Sequence, residues 1–289
     1  MANGPILLKT DRDVAGIREA AGVVENVLVL AAEMVRPGLP TLTLDLAAED
    51  LIRSAGGRPA FKGYKMGGTG TPFPGSLCIS VNDVVVHGFP SRTELRDGDI
   101  VAVDCGVELG GYFGDFAYTF AVGEVSAEVR HLLHTTKASL DAGVANAVAG
   151  KRLGDIGSAV QRMCQGEGYG VVRDLVGHGV GRRLHEPPNV PNLGRRGLGK
   201  KLVAGMTLCI EPMINGGTGD VTVDDDDWTV RTADGAPSAH YEHMVHIRRG
   251  PAEVLSSFVR IEQALARTRG EAPSGTLDLV GADSLSRAA

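Results

Sequence analysis

Leu95-Arg96-Asp97-Gly98-Asp99-Ile100-Val101-Ala102-Val103-Asp104 has a counterpart later in the chain, Leu202-Val203-Ala204-Gly205-Met206-Thr207-Leu208-Cys209-Ile210-Glu211. Both read Leu, two residues, Gly, five residues, acid. The residues before each acid are mostly apolar and alternate sides as in a strand. Each carboxylate is therefore delivered inward from the end of a half-buried strand. An isolated buried carboxylate is costly and calls for a cation.

Upstream of each copy the pattern becomes helical. Leu44, Ala47, Ala48, Leu51, Ile52 and Ala55 recur at i, i+3, i+4, i+7 with Thr43 as the expected cap and Gly56-Gly57 as the stop. Ile156, Ala159, Val160, Met163 and Cys164 repeat the spacing after Asp155, with Gly166 as the stop. Longer helical stretches precede these, over 11–35 and 126–149. The helices are 112 residues apart and the acids 107, so the first half carries five extra residues. Composition places them in the Gly-rich stretch 62–72. Two such α+β halves would set Asp104 and Glu211 across a central axis.

Past Asp104, Gly110-Gly111-Tyr112-Phe113-Gly114-Asp115-Phe116 reads as a return strand bringing Asp115 beside Asp104. In the second half, the run 238–247 reads as one strand returning Glu242 beside Glu211. Between the halves, Gly177-His178-Gly179-Val180-Gly181 and His185-Glu186-Pro187 place two histidines among glycines that allow close approach. Like charges this close repel unless a metal bridges them. Four carboxylates and one imidazole would bind two divalent ions, and the oxygen-rich set suits Mn, Fe or Co, with Zn also compatible.

Composition narrows the class. A chain of 289 residues with 43% apolar content can form one large domain or two fused ones. The net charge of −6 argues against nucleic acid as the main partner, although Arg182, Arg183, Arg195, Arg196, Lys200 and Lys201 form a basic stretch. That stretch reads as an ordinary solvated loop or as a surface meeting RNA. No apolar run approaches the ~20 residues of a membrane span, and the start lacks a signal segment. Cys78, Cys105, Cys164 and Cys209 lack CxxC pairing and read as reduced core thiols, so a cytoplasmic protein is expected. The run Asp224-Asp225-Asp226-Asp227 lacks the pattern of a calcium loop and reads as a solvated hairpin tip. His131 and His134 read as solvent-facing on a helix.

Taken together, Ser80-Val81-Asn82-Asp83-Val84-Val85-Val86-His87-Gly88-Phe89-Pro90, the two Asp segments, the Gly177–Gly181 and His185–Pro187 segments, Ile210-Glu211-Pro212-Met213-Ile214-Asn215, Trp228-Thr229-Val230-Arg231-Thr232 and Tyr241-Glu242-His243 resemble a type I methionine aminopeptidase over residues 10–250. The resemblance implies an α+β, pseudo-two-fold "pita-bread" (creatinase-like) fold with antiparallel strands inside and helices outside. It implies Asp104, Asp115, His178, Glu211 and Glu242 as ligands of two divalent ions (Co, Mn, Fe or Zn). It implies His87 near the scissile amide nitrogen and His185 near the carbonyl oxygen, neither being a ligand. The implied reaction is removal of N-terminal Met from peptides and nascent chains by a metal-bridging hydroxide. Two cations would make such a water nucleophilic near neutral pH. Glu211 would take its proton, and His185 would stabilise the oxyanion.

The family's apolar slot accepts an unbranched thioether. Its walls here would include Cys78 and Trp228, with Phe73 in place of a family aromatic. The residue before His185, usually aromatic, is Leu184, a departure that bears on pocket shape and not on hydrolysis. Residues 1–255 are expected to form one metallopeptidase domain. Residues 256–289 would add a tail, with a short helix (Phe258, Ile261, Leu265) followed by Gly/Ser/Ala-rich, mobile sequence. A monomer with transient ribosome contact, no membrane partner and no specific nucleic acid is expected. Two alternatives are an Xaa-Pro aminopeptidase of the same fold and a non-catalytic pita-bread binding protein.

Overall fold

The computed structural model describes residues 4–65 and 70–270. Helix α1 (Asp11–Met34) opens with a capping box, Thr10 with Asp13. It buries the stripe Ile17, Ala21, Val24, Leu28 and Ala31 against the sheet behind it. Helix α2 (Thr41–Ser54) begins earlier than expected. Thr43 lies within its first turn, and Pro40 occupies the cap position without a side-chain bond. The Thr41 hydroxyl instead accepts the Ser91 N–H, at 2.8 Å.

The duplication is exact in the second helix pair. α2 and α4 (Leu153–Gly166) are both fourteen residues long, with starts and ends each 112 residues apart. Asp155 does not precede α4 but sits in its first turn, accepting the Arg152 N–H at 2.8 Å. Helix α3 (Ala127–Asn146) ends 112 residues after α1 does.

Strands β1 (Arg58–Pro59), β2 (Leu77–Val81), β4 (Ile100–Leu109) and β5 (Tyr112–Ala121) form an antiparallel sheet with β4 at its centre. In the second half, β7 (Gly177–Gly179), β8 (Glu186–Val190), β9 (Thr207–Ile210), β14 (His243–His246) and β15 (Glu253–Val254) form the counterpart. Two smaller antiparallel sheets complete the layer. One is β6 (Gly170–Val171), β10 (Met213–Asn215) and β13 (Ser238–His240); the other is β3 (Val84–Val86), β11 (Val221–Val223) and β12 (Val230–Thr232).

Two expectations change. The run 238–247 is not one strand: β13 pairs with β10 and β14 with β9, and Glu242 occupies the break between them. The five-residue excess is a balance of three differences. The first half has the longer connection before its second strand (59 to 77 against 171 to 177), and that connection contains 62–72. The second half has the longer strand pair that follows (177 to 190 against 77 to 86) and the longer connection leading to its acid-bearing strand (190 to 207 against 86 to 100), so a difference of twelve residues is offset by four and three.

The halves are joined where β5 meets the break. Thr119 Oγ1 donates to the His240 carbonyl (2.6 Å), Tyr241 Oη donates to the Thr119 carbonyl (3.0 Å), and the Glu242 N–H donates to the Ala117 carbonyl (3.0 Å). Residues 224–227 form the β11–β12 tip, where Asp226 accepts the N–H groups of Trp228 and Thr229. His131 and His134 are exposed on α3.

Helix α5 (Val259–Thr268) packs on α1. Arg260 reaches Asn26 at 2.8 Å, and Phe258, Ile261 and Ala264 join the same apolar core. The Gly/Ser/Ala-rich residues 271–289, and 66–69 of the 62–72 loop, lie outside the described residues. No helix among the described residues is long and apolar enough to cross a membrane.

Candidate active site

The four acids meet at the seam between the halves. Asp104 lies opposite Ala117 and Asp115 opposite Gly106, so on the shared face the two carboxylates are diagonal neighbours. Glu211 follows Ile210, which pairs with His243, so Glu211 and Glu242 stand just past the end of that ladder. Asp115 and Glu242 are 3% and 2% exposed. His178 Nε2 points into the group, 3.5 Å from Asp115 Oδ2 and 3.6 Å from Glu211 Oε1. Its Nδ1 lies 2.9 Å from the Gly179 carbonyl oxygen, which only accepts, so Nδ1 carries the hydrogen and Nε2 presents a lone pair to the acids.

His178 and its flanking glycines form strand β7. Its glycines are required by crowding: a Cβ at Gly177 would lie 2.3 Å from the Cys209 carbonyl oxygen, and one at Gly179 2.4 Å from that of Pro187.

Asp104 Oδ1, Asp115 Oδ1 and Glu242 Oε1 are buried without hydrogen-bond partners. Burial pushes the Asp104 carboxyl up to about 7. Burial, then repulsion from neighbouring acids, raises Asp115, Glu211 and Glu242 well above the carboxylate range. His178 is driven down to about 4 by burial and is neutral.

Cys209 Sγ is close enough to form a compact group with Asp115, His178 and Glu242, all ligand atoms lying within 4.8 Å of one another. Burial holds its thiol protonated, so it is a neutral neighbour of the acids rather than a competing anion. The sequence signal was available, since Cys209 is two residues before Glu211 and shares its face of the strand.

Over the acids opens a cavity of about 440 Å³. Cys78 pairs with Asp104 across β2 and β4, which sets the slot beside the acids. Phe73 packs edge-on to Trp228 with ring centroids 5.2 Å apart, and Leu184 closes the same cluster. Trp228 is fixed by its indole N–H, which donates to the Thr71 carbonyl at 2.8 Å.

His87 lines the cavity with a left-handed backbone (φ 60°), a strained conformation for a residue with a side chain, and its Nδ1 has no partner. Burial lowers its pKa to about 4. His185 stands against His178, ring centroids 4.3 Å apart, and its Nδ1 lies 2.8 Å from the Tyr64 hydroxyl. Burial, then the neighbouring His178, depresses its pKa. All the residues singled out from the sequence therefore border this one cavity.

Sequence reasoning missed several neighbours. Asn192 Nδ2 donates to the Glu211 carbonyl (2.9 Å), and His240 Nε2 lies 4.0 Å from Glu211 Oε2. Asp45 accepts the N–H groups of Ser76 and Leu77, both at 2.8 Å, and pins the start of β2 just before Cys78. Glu186 organises the turn bearing Leu184 and His185. Its Oε1 accepts the N–H groups of Arg182 (2.7 Å) and Arg183 (3.0 Å), and its Oε2 meets Lys9 Nζ at 2.6 Å, with both side chains 3% exposed. All six members of the basic stretch are exposed, and Arg182 is in addition paired with Asp13 (2.8 Å) and lies over the Tyr112 ring.

The model of metallopeptidase family M24 matches residues 15–249. The chain belongs to this metallopeptidase family. Within it, the chain groups with methionine aminopeptidases: it is 48% identical over 251 residues to a protein of that name from Clostridium perfringens, covering 87% of this chain and 98% of that one. Identity to methionine aminopeptidase 1 of Bacillus subtilis is 41%, over 87% and 99% of the two chains. The crystal structure of methionine aminopeptidase from Rickettsia prowazekii superposes with a TM-score of 0.84 at 35% identity, over 88% of this chain and 100% of that one. A prolidase from Pyrococcus furiosus, at TM-score 0.70 and 22% identity, shares the pita-bread fold.

The family implies a divalent metal, and the site fits one. Orphaned carboxylate oxygens, a neutral imidazole aiming its lone pair at them and mutual repulsion among four acids form a donor set that a cation would satisfy.

Proposed function

We propose that this protein releases the N-terminal methionine from peptides and nascent chains by hydrolysis, using two divalent ions held by Asp104, Asp115, His178, Glu211 and Glu242. The observation that carries the reading is the union of this donor set with an apolar, aromatic-walled slot in one cavity. Bound divalent ions supply Lewis-acid polarisation and a nucleophile drawn from water. The chain's residues supply the rest. Phe73, Cys78, Leu184 and Trp228 take the thioether side chain by dispersion and sulfur–aromatic contact. Glu211, held by its carbonyl on Asn192, accepts the proton of the attacking water. His185 donates to the developing oxyanion, and His87 faces the scissile amide nitrogen.

Co, Mn, Fe and Zn all match the ligand chemistry. A monomer is sufficient, because one chain contributes all five ligands and both histidines. We read residues 1–255 as one metallopeptidase domain and 256–289 as an appended tail whose α5 packs on α1. Four free, buried thiols suit a reducing, cytoplasmic setting. The exposed Arg183, Arg195, Arg196, Lys200 and Lys201 offer a basic surface for transient ribosome contact. Comparing Met-Ala-Ser with Ala-Pro-Ala tests the substrate: faster release from the first is expected, and preference for the second would make the protein an Xaa-Pro peptidase.

A further inference from the structure

His185 has one side-chain hydrogen-bond partner among the described residues, and that partner comes from a different part of the chain. The Tyr64 hydroxyl lies 2.8 Å from its Nδ1, with the two rings 5.2 Å apart and tilted by 57°. Tyr64 is not a loose surface residue. Its N–H donates to the Phe61 carbonyl (2.8 Å), its carbonyl accepts the Phe73 N–H (2.9 Å), and the Gly63 N–H donates to the Phe73 carbonyl (2.8 Å). The backbone that carries the hydroxyl is thus zipped to Phe73, the aromatic wall of the slot.

A neutral imidazole has one donor and one acceptor nitrogen, and its partner decides which is which. Two arrangements fit the Tyr64 contact. If Nδ1–H donated to the phenol oxygen, Nε2 would present a lone pair to the carbonyl oxygen of a bound substrate, two acceptors facing each other. If the phenol donates to Nδ1, Nε2 keeps the hydrogen and becomes the donor that an oxyanion requires. A phenol ionises near pH 10, whereas a neutral imidazole N–H is a far weaker acid, which also makes the hydroxyl the better donor of the pair.

We propose that Tyr64 is a positioning residue for His185: its hydroxyl donates to Nδ1 and so keeps the ring hydrogen on Nε2. This rests on the role given to His185 above and adds the group that sets its tautomer. Because Tyr64 and Phe73 share backbone hydrogen bonds, the same short segment shapes the slot and orients the histidine. A side chain that seats against Phe73 thereby meets a histidine already presenting its donor.

The test is Tyr64→Phe, which removes the hydroxyl and keeps the ring. With Zn²⁺-loaded and metal-free protein, ¹⁵N–¹H NMR of the His185 ring reads the tautomer directly. The expected result is Nε2–H in the parent protein and a mixture of tautomers in Tyr64→Phe. On Met-Ala-Ser, kcat should fall by about tenfold, the scale of one lost hydrogen bond, with KM changed by less than about twofold. Tyr64→Phe should add no further loss in a His185→Ala background, since the hydroxyl acts through that ring. An Nδ1–H ring in the parent, unchanged ring signals in Tyr64→Phe or strictly additive losses would overturn the proposal. The ring signals do not depend on turnover: a protein that releases no Met with any ion but shows the expected tautomers would sink the function reading and leave this one standing.

Discussion

The Oδ1 atom of Asp104 is buried without a hydrogen-bond partner, and its carboxyl is pushed up to about 7. For an acid raised above its unfolded value of ~3.9, the unfolded chain binds fewer protons throughout that interval, so stability falls as pH rises from ~4 to about 7 and then levels off. Thermal melts of metal-free protein between pH 5 and 8 should show this decline, and Asp104→Asn should flatten it. The metal-free variant should melt a few degrees higher, by about 1 kcal/mol, because one of four mutually repelling acids is gone. Its ion content and Met release should instead fall by about a hundredfold or more. A metal-free Asp104→Asn protein less stable than its parent would mean that the acid is structurally satisfied without a cation. In the slot, Trp228→Ala removes the ring against Phe73 and should raise KM for Met-Ala-Ser by about tenfold, more than it lowers kcat. Asp104 and Glu211 could be read from spacing because each ends one copy of a repeated pattern, Asp115 and Glu242 were expected on return strands beside them, and the choice of His178 rather than His185 came from the family resemblance. Tyr64, Asn192 and His240 could not: they reach the site across connections whose course no local periodicity encodes.

The turn that carries Leu184 and His185 has no strand ladder of its own. It is held by Glu186, whose carboxylate bonds two turn N–H groups and the Lys9 ammonium, with both side chains 3% exposed. Lys9→Met leaves that carboxylate buried and unpaired, and chemical denaturation should show a loss of about 3 kcal/mol. Lys9→Met combined with Glu186→Leu should recover part of it, since removing both charges costs less than stranding one. Additive losses would show that the pair is not coupled. Helices α1 to α4 were legible because apolar residues recur with helical spacing on one face, as with Ile17, Ala21, Val24 and Leu28. The break at Glu242 was hidden for the opposite reason. β13 is buried at every position and β14 at all but His246, and Tyr241 and Glu242 between them are buried as well, so no change in burial marks the point where the chain passes from one sheet to another. Thr43 misled because Thr is a frequent cap, whereas tertiary bonds from Thr41 to the Ser91 segment start the helix three residues earlier.

At the scale of the molecule, the duplication explains why the site sits where it does. Each half delivers a pair of acids to the same end of its sheet, and β5 is stitched to the break at 240–242 by Thr119 and Ala117, so the two pairs converge on the seam. The asymmetry between halves was visible only as a net count, because the longer connection before β2 is partly offset by the longer β7–β8 pair and the longer connection before β9. The central claim is that the seam is a divalent-ion site working on methionine N-termini. Exhaustively dialysed protein should be titrated with Mn²⁺, Co²⁺, Fe²⁺ and Zn²⁺ while Met release from Met-Ala-Ser is followed. The account predicts negligible release without ions and a rise that saturates near two bound equivalents for at least one of them. Full activity in the metal-free protein, or no release with any of the four ions, would contradict it.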